Sequence, residues 1–179
     1  ISNASRLDAE LARGTSEPVD LEKLIEAMAG IQRDLAAPHK VNVVLEKRQG
    51  RFAATMLGHD SRLAQVFNNL IDNAVSFSPE GGTVTVSIAT SEDGIVASVK
   101  DEGPGIRGDI SRIFQRFYTD RPDGEHFGDH SGLGLAISKQ IIDAHRGTIV
   151  AANREDRSGA VFTVTLPRTS TDRPARPRK

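Results

Sequence analysis

Apolar residues recur every three or four positions in four stretches of the chain, and this spacing predicts amphipathic helices. The predicted helices cover residues 1–14, 21–37, 60–77 and 132–145. The second helix is expected to begin after an N-cap, Asp20, and to pack on the core through one apolar face. That face consists of Leu21, Leu24, Ile25, Met28, Ile31 and Leu35.

Runs of β-branched and alternating residues predict strands between the helices. These runs are 41–46, 52–57, 83–90, 94–100, 147–154 and 159–167. Turn signals join the third run to the fourth and the fifth to the sixth, which predicts two hairpins. Because strand pairs are interleaved with helices, without strict βαβ alternation, the predicted fold class is α/β (α+β), a two-layer sandwich with a mixed sheet.

Three segments lie outside this regular pattern. Residues 15–20 (TSEPVD) read as a linker. Residues 107–131 are polar and loop-like apart from the short apolar piece IFQRF, and loops of this length inside a compact domain are often functional lids. The basic, proline-rich residues 168–179 predict a disordered tail.

Composition narrows the class of protein. A net charge of -1 gives no strong field that would point to nucleic acid. The absence of cysteine excludes disulfides and cysteine metal sites, and no apolar run has the length of a membrane span. The five histidines are scattered without an HExxH pattern, so most are expected at the surface and no zinc site is predicted.

Three polar residues follow one line of the helix at 60–77. At about 100° per residue, Asn69, Asn73 and Ser76 fall on the same side, at the border of the apolar stripe. Asparagine is a poor helix former, so two of them four positions apart need a reason. The plain alternative is that the amides cap neighbouring loops. The pattern favours a polar line along a cleft.

Two glycine-containing motifs are candidates for ligand contacts. In DEGPGI, Asp101 can accept a hydrogen bond from an exocyclic amine, while Gly103 and Gly105 allow a planar ligand near the backbone. In SGLGLAI, Ser131 and Gly132 open a helix, where unpaired amides favour phosphate. The alternatives are a tight turn and simple helix capping. No GxxxxGK[ST] loop and no HRD or DFG set is present, which disfavours P-loop and protein-kinase chemistry.

The order of these motifs resembles that of sensor histidine kinases. NNLIDNA is similar to their N box, DEGPGI to the G1 box, IFQRF to the F box and SGLGLAI to the G2 box. The resemblance covers roughly residues 20 to 167, and FGDHSGLGLAISKQI resembles the alphaproteobacterial ChvG/BvrS sensor group. The family implies an ATP-binding catalytic (HATPase_c) domain of the GHKL superfamily. Its Bergerat fold has a mixed five-stranded sheet packed on three helices and a long ATP lid.

The resemblance also implies a role for each motif residue. Asn73 would be the magnesium ligand and a catalytic residue. Arg116, the second catalytic candidate, could reach the γ-phosphate from the lid at 107–131. Asp101 would accept a hydrogen bond from the adenine amino group. The cofactors implied are ATP and Mg²⁺, and the implied cofactor-binding residues are Asn69, Asn73, Phe77, Asp101, Gly103, Gly105, Ile106, Phe117, Ser131, Gly132, Leu133 and Gly134.

The chain departs from the family pattern at two positions. The lysine that often follows the second N-box asparagine is absent, and Ser76 stands there. Arg116 or Arg121 could supply the missing positive charge. The glycine pair that usually precedes SGLGL is replaced by Asp129 and His130.

The domain boundaries and partners are implied by the same resemblance. Residues 1–17 would be the end of the second helix of a dimerisation and histidine-phosphotransfer hairpin, with a linker; 18–167 would be the catalytic domain and 168–179 a disordered basic tail. The acceptor histidine is expected on that hairpin, outside this chain, because HDSRL at His59 lacks the proline of an acceptor motif and starts the N-box helix. The expected partners are ATP, the hairpin and a response regulator, with no nucleic acid. The full-length protein is expected to be a homodimer in the bacterial inner membrane, with this domain in the cytoplasm.

Three alternatives stay open. A GHKL-type ATPase needs a general base four residues before the magnesium-binding asparagine, but that position holds Asn69, whose amide cannot take a proton. A serine kinase of the anti-sigma-factor type shares the boxes, although the N-terminal helix and the F box argue against it. The third alternative is a non-catalytic, nucleotide-gated binding module, which the missing lysine keeps in consideration.

Overall fold

The structure is a computed structural model that describes residues 3–116, 118 and 133–169. The helices are α1 (Asn3–Arg13), α2 (Leu21–Ala36), α3 (Asp60–Phe77) and α4 (Gly134–Ala144). The strands are β1 (Glu17–Asp20), β2 (Asn42–Leu45), β3 (Thr55–Gly58), β4 (Thr83–Thr90), β5 (Gly94–Lys100), β6 (Thr148–Asn153) and β7 (Ala160–Pro167). Short 3-10 helices cover Ala37–His39 and Ile110–Arg112.

A mixed five-stranded sheet forms one layer of the fold. Its strand order is β2-β4-β5-β7-β6, with β2 parallel to β4 and the remaining pairs antiparallel. Helices α2, α3 and α4 lie against this sheet, and α1 packs on α4. The predicted two-layer sandwich, with a five-stranded mixed sheet and three covering helices, is therefore confirmed.

The core lies between the sheet and the helices because each strand and each helix turns one apolar face toward the other layer. In β4, Val84, Val86 and Ile88 are buried, whereas the intervening threonines and serine are not. The predicted stripe of α3 is buried along its whole length, and it consists of Leu63, Val66, Phe67, Leu70, Ile71 and Ala74. Both hairpins, β4–β5 and β6–β7, pair as predicted.

The predicted linker at 15–20 is wrong in part. Residues Glu17–Asp20 form β1, which pairs antiparallel with β3 in a separate two-stranded sheet. The strands β2 and β3 consequently belong to different sheets, although only a short segment separates them. The predicted cap is confirmed, since the Asp20 side chain accepts a hydrogen bond from the Lys23 amide at 3.1 Å.

The predicted apolar face of α2 is wrong in its second half. Ile31 and Leu35 are 50% and 58% exposed, respectively. The helix turns Ala29, Gln32 and Ala36 inward instead. Gln32 donates a hydrogen bond through Nε2 to Oδ1 of Asn68 on α3 at 2.8 Å, which allows a polar side chain to lie between the two helices.

His145 and Arg168 differ from the general expectations, which concerned most of the histidines and the tail as a whole. His145 is buried at the C-terminal end of α4, where Nε2 accepts a hydrogen bond from the His59 amide (3.1 Å) and Nδ1 contacts the Ile141 carbonyl oxygen (2.7 Å). It is an exception to the expected surface positions of the histidines. The start of the predicted disordered tail is ordered, because Arg168 stacks on Phe52, with its guanidinium carbon 4.6 Å from the ring centroid. Residues 170–179 lie outside the described residues.

Candidate functional site

A cleft opens between the C-terminal half of α3 and the loop that follows β5. It is lined by Asn73, Phe77, Asp101, Gly105, Ile106, Ile113, Ala160 and Phe162. The first five of these were predicted from the sequence as ligand-binding residues. The fold thus brings the N-box helix and the DEGPGI motif to one cavity.

Asp101 lies at the base of this cleft and is only 3% exposed. Its Oδ1 accepts hydrogen bonds from the backbone amides of Gly103 (2.9 Å) and Ala160 (3.1 Å). Burial raises the pKa of the Asp101 carboxyl above its ordinary value, while these two amides and the nearby Arg154 act in the opposite direction. Both backbone bonds use Oδ1, and no described residue donates to the other carboxylate oxygen, which can therefore accept a hydrogen bond from a ligand amine.

Two glycines let the loop after β5 approach its neighbours closely. A Cβ atom at Gly103 would lie 2.6 Å from the carbonyl oxygen of Phe77, the last residue of α3. Gly105 has a φ of 81°, in the left-handed region that favours glycine. A side chain at either position would displace this loop from the wall of the cleft.

Asn69 and Asn73 face different neighbours despite their common side of α3. The Asn73 side chain is half-buried and lines the cleft. Asn69 donates from Nδ2 to the carbonyl oxygen of Gly134, the first residue of α4, at 3.5 Å. A Cβ at Gly134 would make only an ordinary contact, 3.7 Å from that amide nitrogen. Asn69 therefore joins two helices, while Asn73 points to the cavity.

The apolar wall of the cleft combines Ile113 of the IFQRF motif with Phe162 of β7, which lies outside the motifs assigned to ligand binding. Phe162 of β7 packs edge to face on Phe114, with ring centroids 6.3 Å apart and an interplanar angle of 89°. Ile113 is 8% exposed and contributes to the same wall. The alternation of β7 predicts that Phe162 faces inward, but it does not indicate that this inward face ends in a cleft.

The remaining predicted residues are not brought to the cleft or are not described. Arg116 is exposed and lines a groove with Asp8 of α1 and Gln140 of α4. Leu133, immediately before α4, lines an adjoining groove. Phe117, Arg121, Ser131, Gly132 and the lid residues 119–130 lie outside the described residues.

Comparison with known proteins identifies the family. Residues 58–170 match the family model described as "Histidine kinase-, DNA gyrase B-, and HSP90-like ATPase". The chain belongs to this family. The matched segment contains α3, the loop that follows β5, α4 and strands β4 to β7, and so includes every residue of the cleft.

The curated relatives are bacterial sensor proteins. The chain is 46% identical to the sensor protein ChvG of Agrobacterium fabrum over 181 residues, which cover 96% of this chain and 30% of that protein. It is 32% identical to the signal transduction histidine-protein kinase BaeS of Escherichia coli over 151 residues, with coverages of 84% and 32%. The chain thus spans about a third of the length of these relatives. The sequence-based resemblance to sensor histidine kinases, and to the ChvG group among them, is confirmed.

Solved structures agree with this assignment. The catalytic domain of the histidine kinase ThkA superposes with a TM-score of 0.74 at 26% identity, over 89% of this chain and all of that one. Full-length ShkA in complex with AMPPNP gives a TM-score of 0.74 at 26% identity, over 94% of this chain and 35% of that one. The fold is that of histidine kinase catalytic domains.

Proposed function

We propose that this chain is the ATP-binding catalytic domain of a sensor histidine kinase, which presents Mg-ATP to a histidine on a separate helical hairpin. The observation that carries the proposal is the meeting of Asp101 and Asn73 at one cleft. A buried carboxylate and a helical amide are the polar groups that an adenine ring and a phosphate-bound metal ion need. Family membership supports the same nucleotide.

Adenine is assigned to the part of the cleft around Asp101. The carboxylate oxygen not used by the backbone amides would accept a hydrogen bond from the exocyclic amine of the base. Ile106, Ile113 and Phe162 provide an apolar surface for the ring. A few oriented polar groups in an otherwise apolar cavity are typical of small-molecule sites.

Magnesium is assigned to Asn73. The described residues contain no cluster of three His, Cys, Asp or Glu side chains that could hold a metal ion by themselves. The Asn73 amide lines the cleft, and no hydrogen bond engages it within the described part of the chain. A single amide oxygen suits Mg²⁺, which usually keeps water and phosphate oxygens as its other ligands. When bound, the ion would neutralise charge on the transferred phosphoryl group.

The proposed chemistry is phosphoryl transfer by positioning. Such transfer needs little covalent participation from the protein, so the cleft has to hold ATP while the hairpin supplies the nucleophile. Asn69 occupies the position at which the ATPase alternative requires a general base, and its amide is bonded to the Gly134 carbonyl. We therefore expect slow hydrolysis of ATP. A role for Arg116 at the γ-phosphate requires that this side chain leave the groove beside α1 and α4.

The partners and the location are proposed from the curated relatives. Helix α1 (Asn3–Arg13) is proposed to be the end of the second helix of the histidine hairpin, followed by a linker, and the hairpin is proposed to form the homodimer. A response regulator would receive the phosphoryl group. Among the described residues, no helix is both long and apolar enough to cross a membrane. We propose that this domain is the cytoplasmic part of an inner-membrane sensor.

Two measurements test the function. Calorimetric titration should give magnesium-dependent ATP binding, and γ-labelled ATP should label an added ChvG-type histidine hairpin without labelling this chain. Asn73→Ala should abolish transfer to the hairpin while circular dichroism stays unchanged. Absence of ATP binding would overturn the proposal. Full transfer by the variant would place the metal ligand elsewhere, and rapid hydrolysis without the hairpin would favour the ATPase alternative.

A further inference from the structure

The turn between β6 and β7 lies directly against the loop that forms one side of the cleft. We call residues 153–159 the β6–β7 turn and residues 101–106 the Asp101 loop. We infer that side chains of the β6–β7 turn, Asn153 above all, are positioning residues that hold the Asp101 loop in the shape that binds the base. This inference rests on the proposed function.

Asn153 holds one end of the Asp101 loop through both groups of its amide. Its Oδ1 accepts a hydrogen bond from the Ile106 backbone amide at 2.6 Å, and its Nδ2 donates to the Ile106 carbonyl oxygen at 3.1 Å. The side chain thus acts as a strand-like partner for one residue of the loop. Because Ile106 itself lines the cleft, Asn153 fixes a wall residue from the side away from the cavity.

Gly105 is the residue that makes this contact sterically possible. A Cβ atom at Gly105 would lie 2.8 Å from Oδ1 of Asn153. The second glycine of DEGPGI is therefore required by the neighbouring turn as well as by its own positive φ. This contact gives the motif a structural reason that is independent of any ligand.

Arg154 and Ser158 hold the other end of the loop. Arg154 donates from Nη1 to the Asp101 carbonyl oxygen at 3.1 Å, and Ser158 donates from Oγ to the Gly103 carbonyl oxygen at 2.7 Å. Two further nitrogens of Arg154 donate to the Asp156 carboxylate, at 2.9 and 2.7 Å. This bidentate pair fixes the plane of the guanidinium, so its remaining nitrogen is aimed at the loop.

The same turn also leads into the strand that holds the Asp101 carboxylate. The backbone amide of Ala160, the first residue of β7, donates to Oδ1 of Asp101 at 3.1 Å. A Cβ atom at Gly159 would overlap the Asp101 carbonyl oxygen, so the two backbones are in close contact. One element therefore fixes both the backbone and the side chain of the residue assigned to adenine.

Holding the loop in advance should increase the affinity for nucleotide. The Asp101 loop has no helix or strand of its own, and ordering such a segment on binding reduces affinity. Side chains that order it in the free protein remove that cost before the ligand arrives. Asn153, Arg154 and Ser158 do not line the cleft, so their effect on nucleotide binding would be exerted through the Asp101 loop.

The test is Asn153→Ala in the 179-residue chain, with ADP and ATP titrated by calorimetry. Asn153 is exposed, so we expect the variant to remain folded. Loss of two hydrogen bonds should weaken the binding of both nucleotides equally, by about 5- to 150-fold, because the loop meets the base and not the phosphates. Asn153→Asp keeps the acceptor for the Ile106 amide and loses the donor, so an intermediate effect is expected.

Controls separate positioning from general stability. Glu155→Ala changes an exposed residue of the same turn that makes none of these contacts. The affinity of this variant for ADP and ATP should match that of the unmodified chain. In Asn153→Ala, hydrogen exchange at Ile106 should be faster without nucleotide and should slow again when ADP is bound. A merely structural role would lower the melting temperature without this local, nucleotide-reversible change. If Asn153→Ala unfolds, Ser158→Ala serves as the second variant.

The outcomes distinguish the two proposals. If the unmodified chain binds neither nucleotide, the proposed function fails. If it binds both and Asn153→Ala binds them equally well, only the positioning role fails. A loss of affinity for ATP without a loss for ADP would also overturn the inference, because it would mean that the turn acts on the phosphates.

Discussion

Replacing Asp101 by asparagine tests the assignment of the base with the smallest possible change. The two side chains have nearly the same shape, and an asparagine Oδ1 can still accept from the amides of Gly103 and Ala160. The second carboxylate oxygen becomes an NH₂ group. A hydrogen-bond donor would then face the exocyclic amine of adenine, which is itself a donor.

The expected loss of affinity can be worked out from this single contact. A hydrogen bond to a charged group contributes about 1.5–3 kcal/mol, and each 1.4 kcal/mol corresponds to about a factor of ten in affinity. Asp101→Asn should therefore weaken the binding of ADP and of ATP by about 10- to 150-fold. The loss should be the same for both nucleotides, because the phosphates do not contact this residue in the proposed arrangement.

The free energy of unfolding of Asp101→Asn at neutral pH should not fall with its nucleotide affinity. Burial raises the pKa of Asp101 in the folded chain above the ordinary value of 3.8. A raised pKa contributes stability that is fully present below the ordinary pKa and is lost as pH rises through the folded pKa. At neutral pH the folded chain therefore keeps a carboxylate charged at a cost in stability. The asparagine variant should be at least as stable there, and its relative stability should grow as pH rises from below 3.8 to neutral.

Calorimetry with ADP and ATP measures the affinities, and urea unfolding at acidic and neutral pH measures the stabilities. Asp93→Asn, a change at an exposed turn position, is the matched control and should alter neither quantity. Unchanged nucleotide affinity in Asp101→Asn would refute the assignment of the base. A loss of affinity accompanied by a loss of stability at neutral pH would refute the reasoning about the buried charge.

Two further predictions concern packing around the site. Gly103→Ala places a Cβ 2.6 Å from the Phe77 carbonyl oxygen, so it should lower the free energy of unfolding by about 1–3 kcal/mol and weaken ADP binding. Gly30→Ala is the contrast, because its Cβ would meet no atom within 4 Å; it should stabilise α2 by about 0.5–1 kcal/mol in thermal unfolding. Burial lowers the pKa of His145 below its ordinary value of 6.5, so the unmodified chain should lose stability as pH falls through and below that value. His145→Gln should remove this part of the pH dependence in urea unfolding, and an unchanged dependence would assign it to other groups.

The sequence by itself determined those elements whose signals are local. The apolar period of α3, the alternation of β4, β5 and β7, and the Asp20 cap each depend on residues within one or two turns or a few strand positions. The motif residues Asn73 and Asp101 could be found for the same reason, since each stands in a short, ordered pattern. Prediction of the helices, the strands and the cap was correct where the structure describes them. Asn73 and Asp101 lie at one cleft, and their ligand-binding roles stay predictions.

Only the tertiary structure decided the features that join distant segments. Strand β1 exists because it pairs with β3, and α2 exposes Ile31 because Gln32 meets Asn68 on α3. The contact of Asn153 with Ile106 joins residues 47 positions apart, and an asparagine at the end of a strand carries no signal of it. Hydrogen bonding and close packing act through space, so residues that hold a site from the outside become visible only when the chain is folded.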